Sequence, residues 1–271
     1  MPFGVQYLFV DGDYFLTACS ALITPVFQIE PDIDFREMRQ DLDCQKAFYY
    51  GCVDDVRRPA EDQATYEVRV EAQEKRHERI QAAPGVHVRL GTLAGTKPKR
   101  LRQKEVDVQL AVDMLSHAFA KNMSSAILVT GDLDFRPVVR TLMQFGTYVR
   151  LCFMAESVAR DLLWASDEGL EMTVERVYRW TTNEFRSQYP FPIVQAFAVP
   201  PDKVFAATQG VLNRRGQVGQ SNLEAWFTES DRMYHIVVVS DGGRYLSYTH
   251  KDSNLVERFV GIKQGEIRWS D

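Results

Sequence analysis

Two carboxylates stand one residue apart in Thr130-Gly131-Asp132-Leu133-Asp134, directly after the short apolar run Ile127-Leu128-Val129. Asp is a favoured helix N-cap, and capping accounts for one of them. A second carboxylate so close repels the first, and both stay ionised cheaply only beside a cation. Asp11 repeats the arrangement. It ends the apolar run Tyr7-Leu8-Phe9-Val10 and is followed by Gly12 and a further carboxylate, Asp13.

A fifth acid stands out by its place in a helix. Over residues 105–121, at 100° per residue, Leu110, Met114, Ala118, Ala111, Leu115, Val108, Phe119 and Val112 form one broad apolar arc. Asp107 falls inside that arc. An ionised Asp on an apolar face calls for a cation or a fixed donor; the helix dipole supplies only about 1 kcal/mol. Asp113 falls on the polar side, as a solvated residue would.

If Asp11 and Asp132 end neighbouring parallel strands, both project at one sheet edge, where open α/β sheets bind their ligands. Asp11, Asp132, Asp134 and Asp107 would then form one acidic pocket. An all-oxygen ligand set suits Mg²⁺ or Mn²⁺. Such an ion activates a bound water and steadies a phosphoryl oxygen. The stretch Lys97-Pro98-Lys99-Arg100-Leu101-Arg102-Gln103-Lys104 puts five cations into eight residues just before Asp107. A charge run is usually only a solvated loop. Here its position would lay a phosphate backbone beside the acids. Arg136, two residues past Asp134, is a further candidate contact.

The elements that must position these residues follow from periodicity. Strands are expected at Tyr7–Val10, Lys46–Val53, Val86–Leu93, Ala126–Val129 and Tyr148–Phe153. Between them lie helical patterns from Phe15 to Leu22, limited by Pro25, and at Ala64–Ala83, Glu105–Lys121, Leu133–Phe145 and Ser157–Trp164. The acidic segment Glu30–Asp43 reads as an exposed helix or loop. Gly146 is placed to end the helix before it. This alternation predicts an α/β fold, a mostly parallel sheet with helices on both faces. The first domain is expected over 1–178. After Trp180 the proline-rich stretches 189–192 and 199–201 read as linker or edge material, 202–213 as a helix, and 236–246 as a hairpin. Residues 179–271 thus read as a small C-terminal α+β domain of winged-helix type, a candidate for binding RNA or a protein.

The bulk composition is that of a globular protein of 271 residues. A formal net charge of -5 gives no global attraction to nucleic acid, so any polyanion contact must be local. No apolar run approaches a membrane span, and no signal peptide is read at the N-terminus. Cys19, Cys44, Cys52 and Cys152 show no zinc spacing and read as reduced core residues of a cytoplasmic protein.

Three motifs in order carry a resemblance: Phe9-Val10-Asp11-Gly12-Asp13, Lys104-Glu105-Val106-Asp107 running on to Asp113, and Leu128-Val129-Thr130-Gly131-Asp132-Leu133-Asp134-Phe135. With them, residues 5–170 resemble the NYN family, PIN-like nucleases that include the LabA/DUF88 group. The resemblance implies a PIN-like, Rossmann-like fold with a metal-binding acidic site, and ribonuclease activity on single-stranded or structured RNA. Carried over by position, Asp11, Asp107, Asp132 and Asp134 are the catalytic and metal carboxylates. Asp113 matches the motif's last acid, Thr130 orients an adjacent carboxylate, and Asp13 is a supporting acid. Tyr14 departs from the pattern, standing where the family often has Asn. A homodimer is compatible with the sequence. Two other readings stay open: an RNA-binding scaffold that keeps the acidic pocket, and a haloacid-dehalogenase-like phosphatase using Asp11 and Asp13.

Overall fold

The computed structural model describes residues 4–58, 60–91, 99–240 and 244–270. The chain forms two compact units. Residues 1–22 and 31–182 make the first; residues 23–30 and 183–271 make the second.

The first unit is built on six strands: β1 (Gln6–Asp11), β2 (Lys46–Gly51), β3 (Val86–Leu90), β4 (Ser125–Val129), β5 (Tyr148–Phe153) and β6 (Glu168–Glu171). They run parallel in the order β3-β2-β1-β4-β5-β6. Parallel strands need crossover helices, and these bury both faces of the central strands. All five residues of β4 are accordingly buried. The strand order reverses between β1 and β4, where Val10 pairs with Val129. That is the switch point at which crossovers diverge and leave a crevice beyond the carboxyl ends.

The crossovers are α1 (Gly12–Phe27), α2 (Phe35–Asp41), α3 (Gln63–Ala82), α4 (Lys99–Phe119), α5 (Arg136–Gln144) and α6 (Arg160–Leu163), and α7 (Val174–Arg179) follows the last strand. Several differ from expectation. Pro25 does not stop α1, which runs on to Phe27; near the helix end a proline forfeits one backbone bond. The segment read as exposed contains α2, which buries Phe35 and Met38. Its N-cap, Asp34, accepts the Arg36 amide at 2.8 Å. The helix expected from Leu133 begins instead as a 3-10 turn, Leu133–Phe135, before α5. Strand β6 was not expected at all. Its four residues alternate between half-buried and exposed, too short a pattern to register.

Helix α4 corrects the broad apolar arc. Val106, Leu110, Met114 and Ala118 are buried, whereas Val108, Val112 and Phe119 are 61%, 50% and 78% exposed. One i,i+4 ridge is enough to cover β1 and β2, so only a narrow stripe is used. Asp107 sits half-buried at the flank of that stripe.

The second unit adds α8 (Asn183–Gln188), β7 (Ile193–Phe197), α9 (Pro201–Ala206), β8 (Gly210–Val218), β9 (Ser221–Thr228), β10 (Met233–Ser240), β11 (Arg244–His250), α10 (Ser253–Gln264) and β12 (Ile267–Ser270). Its sheet is antiparallel in the order β12-β8-β9-β10-β11-β7. It holds more strand than a winged-helix unit. The helix expected over 202–213 is short and gives way to β8. The hairpin expected over 236–246 is β10–β11, with its turn outside the described residues. Helix α10 buries Leu255, Val256, Phe259 and Val260, and Phe191 meets Phe259 edge-on at 4.9 Å. The last turns of α1 belong to this unit. Phe27 packs on Phe185 at 5.9 Å and on Phe191 at 6.2 Å, and Arg258 donates to the Val26 carbonyl at 2.8 Å. Among the described residues, no helix is long and apolar enough to cross a membrane.

Trp180 closes the first unit. Its ring is fully buried, its Nε1 donates to Asp41 at 2.8 Å, and its carbonyl accepts the Asp34 amide at 2.8 Å. Trp180→Ala opens a large cavity and removes the indole bond to Asp41. It should lower unfolding free energy by about 3–5 kcal/mol, measured by urea denaturation.

Candidate active site

Asp11 is the last residue of β1 and pairs in register with Tyr50 of β2. The sharp exit into α1 requires Gly12. A Cβ there would lie 2.4 Å from the Tyr49 ring and 2.6 Å from the Tyr50 carbonyl. The next strand, β4, ends in Val129 and delivers Thr130, which is fully buried. Thr130 Oγ1 donates to Asp11 Oδ2 at 2.9 Å and accepts the Asp132 amide at 3.2 Å. The Tyr14 amide donates to Asp11 Oδ1 at 3.3 Å. One hydroxyl therefore ties the two strand ends together and fixes the Asp11 carboxylate.

Asp132 caps the 3-10 turn: its Oδ1 accepts the Asp134 amide at 2.9 Å. Capping uses one oxygen of a carboxylate that has two. Gly131 permits the close approach of the neighbouring loop. A Cβ there would lie 2.3 Å from the Ser157 carbonyl oxygen and 2.6 Å from the Tyr14 ring. Asp132 and Asp134 are exposed, whereas Asp11 and Asp107 are half-buried. Asp11, Asp13 and Asp107 line a small pocket with Tyr50, Gly51, Cys52 and Val106.

The electrostatics show how crowded these acids are. Burial raises the Asp11 carboxyl to about 6, against the lowering effect of the Thr130 and Tyr14 hydrogen bonds, and Asp13 and Asp132 add to the rise. Asp107 is raised to about 7, first by burial and then by repulsion from Asp11, Asp132, Asp134 and Asp13. Asp11, Asp13, Asp132 and Asp134 thus all bear on Asp107, and Asp113 does not.

Asp113 is committed elsewhere. It accepts from the Tyr50 hydroxyl at 2.9 Å and from Gln109 at 2.8 Å, and lies 3.6 Å from Arg89. It holds Tyr50, which lines the pocket, and so acts behind the site. Arg136 is likewise engaged, with Asp161 at 3.1 Å. Lys97 lies outside the described residues, as do the side chains of Lys99, Arg100, Arg102 and Lys104. The last four positions fall in the first turns of α4, a helix where a loop was expected. Position 100 is two turns before Asp107, about 10 Å along the axis and on nearly the same face.

One participant, Tyr50, was not singled out from the sequence, and Tyr14, singled out as a departure, has a role the sequence did not show. Tyr50 was visible only as a strand residue, although a Tyr just before Gly51 at a strand end is a usable signal. The Tyr14 hydroxyl accepts the Met154 amide at 2.9 Å and the Ser157 hydroxyl at 3.1 Å. It anchors the loop after β5 rather than the acids.

The motifs, their order along a parallel sheet and the shared pocket agree with a family model for the NYN domain, which matches residues 7–172. The chain belongs to the NYN domain family. NYN domains are PIN-like nucleases, which gives this chain a nuclease-type, RNA-related role and makes a divalent metal the family's general cofactor. The phosphatase reading falls with that assignment. Among curated proteins, none matches the chain. A crystal structure of a protein of unknown function, VPA0982, from Vibrio parahaemolyticus is similar at a TM-score of 0.43 and 15% identity, over 63% of this chain and 93% of that one. A chitinase from Chromobacterium violaceum aligns at a TM-score of 0.25 and 9% identity, over 97% of this chain and 92% of that one.

The metal fits the donor set only in an open form. Among the described residues, no three acidic, His or Cys side chains already converge on one point. Mg²⁺ suits such a set, because it keeps several waters and takes one or two carboxylates directly.

Repulsion at Asp107 has a measurable consequence in metal-free NYN protein. A carboxyl raised in the folded state favours folding when protonated, and that advantage is lost as pH rises through about 7. Asp107→Asn mimics the protonated form. In EDTA it should raise the melting temperature over wild type more at pH 8 than at pH 5, the gain vanishing only below the ordinary carboxyl value of 3.8, read by scanning calorimetry.

Proposed function

We propose that this NYN protein is a metal-dependent ribonuclease, with Asp11, Asp107, Asp132 and Asp134 as its catalytic acids. One observation carries the reading: Asp11, Asp13 and Asp107 line one pocket, where Asp11, Asp132, Asp134 and Asp13 all repel the ionised Asp107 carboxyl. Nothing in the packing of the fold needs such a cluster; a hard divalent cation does. Asp11, Asp107, Asp132 and Asp134 would hold Mg²⁺ or Mn²⁺, with Asp13 in support. When bound, the ion would supply an acidified water and a counter-charge for the phosphoryl oxygens. Thr130 keeps Asp11 in one orientation. Asp113 sits behind Tyr50 and is not a ligand in this reading.

The substrate is RNA, single-stranded or structured. Helix α4 opens on Lys99, Arg100, Arg102 and Lys104 with no acid in its first turn. Cations at a helix N-terminus oppose the dipole, and a phosphate backbone offsets that cost. The four cysteines are free, which suits a cytoplasmic setting. A second reading, an RNA-binding scaffold with a silent acidic pocket, is favoured by Tyr14, whose hydroxyl is spent on Met154 and Ser157.

Asp132→Asn keeps the shape and one oxygen but removes a charge. Cleavage of labelled RNA with Mn²⁺ should fall to roughly a hundredth of wild type or less, while RNA binding in EDTA persists. Equal cleavage by wild type in EDTA would sink the metal reading; a wild type inert with either ion would favour the scaffold.

Replacing Lys99, Arg100 and Arg102 by Ala should weaken RNA binding and flatten the plot of log affinity against log salt by up to about 2. Filter binding across a salt series measures it, and an unchanged slope would show that the run does not touch phosphate.

A further inference from the structure

A cavity of about 370 Å³ opens in the first unit among α1, the segment leading into α2, and the second half of α3. Its size lies within the roughly 300–1,000 Å³ of small-ligand pockets. Leu16, Ile33 and Ile80 give it an apolar wall, and the side chains of Arg36, Arg76 and Arg79 line it as well. Arg36 is paired with Asp34 at 3.2 Å, and Arg79 with Asp32 at 3.2 Å. Among the described residues, Arg76 makes no ion pair or hydrogen bond. It shares a helix face with Arg79, three residues on.

The wall is fixed before any ligand arrives. The Thr182 amide donates to the Asp32 carbonyl at 2.8 Å, and the Asp34 amide to the Trp180 carbonyl at 2.8 Å. Ile33 forms a bridge with Thr181. A preformed wall spares a ligand the entropy of ordering the segment.

We propose that this cavity binds a nucleoside monophosphate unit, as a free nucleotide or as one residue of an RNA strand. The uncommitted guanidinium of Arg76 takes the phosphate, charge-assisted and with planar fork geometry. The apolar wall takes one face of the base. Asp32 and Asp34, each held by an arginine, accept from sugar hydroxyls or a base amino group. A bare cation would meet three guanidiniums, and a purely apolar ligand would leave them unused.

Calorimetric titration of the full chain with adenosine monophosphate, in EDTA, tests the proposal apart from any cleavage. One-to-one binding is expected, weakened about tenfold or more by Arg76→Ala and unchanged by Arg140→Ala, a control for loss of one exposed charge. Arg76 is exposed, so its removal leaves the core intact. A second arm asks whether the mononucleotide displaces a labelled oligoribonucleotide. Displacement that is lost in Arg76→Ala identifies the source as an RNA residue; binding without displacement identifies a free nucleotide. No binding by wild type, or binding indifferent to Arg76→Ala, overturns the proposal.

Discussion

Like charges gathered at the candidate site are the constraint on which the first unit of this molecule depends. Two of the acids, Asp11 and Asp107, are also partly withdrawn from water, which raises the cost of ionising them. The fold tolerates this through a short chain of donors: the Thr130 hydroxyl on Asp11, the Asp132 amide on Thr130, and the Asp134 amide on Asp132. Each link is a strand end or the first step of a turn, so the charges are restrained by the same backbone that forms the sheet. Protonation relieves the repulsion, and so would a cation bound among the acids.

The glycines show how little slack surrounds that chain. Gly12 lies against the ring of Tyr49, and Gly131 against Tyr14 and the Ser157 carbonyl. Both approaches are closer than any side chain would allow. The site is therefore shaped by β2 and by the loop after β5 as much as by the two acid-bearing strands.

Much of this was legible in the chain because charge and periodicity speak together. Asp11 and Asp132 each end an apolar run, and a parallel sheet sends such ends to one edge. Asp107 stood out as an acid among apolar neighbours, although the stripe it flanks is narrower than the pattern suggested. Val108, Val112 and Phe119 satisfy the same periodicity yet face outward, because helical spacing says which residues share a face and not how wide a neighbour covers it. Asp113 was harder to read. Its carboxylate serves Tyr50 and Arg89, and both partners arrive from strands far away in sequence. The second unit was legible only in its hairpin. Strand β8 carries Arg214, Arg215 and an irregularity between Leu212 and Arg214, which blurs the alternation a strand would show.

The division of α1 between the two units bears on how the protein is made. A ribosome releases Val26 and Phe27 early, while Phe185, Phe191 and the α10 side chains that share their unit emerge near the end. Until then the last turns of α1 present an uncovered apolar end to the cell. A fragment cut at the boundary of the family match would keep that end permanently bare. For this chain the end of the family match is not the end of a self-sufficient folding unit, and vectorial synthesis must carry an incomplete N-terminal helix until α10 appears.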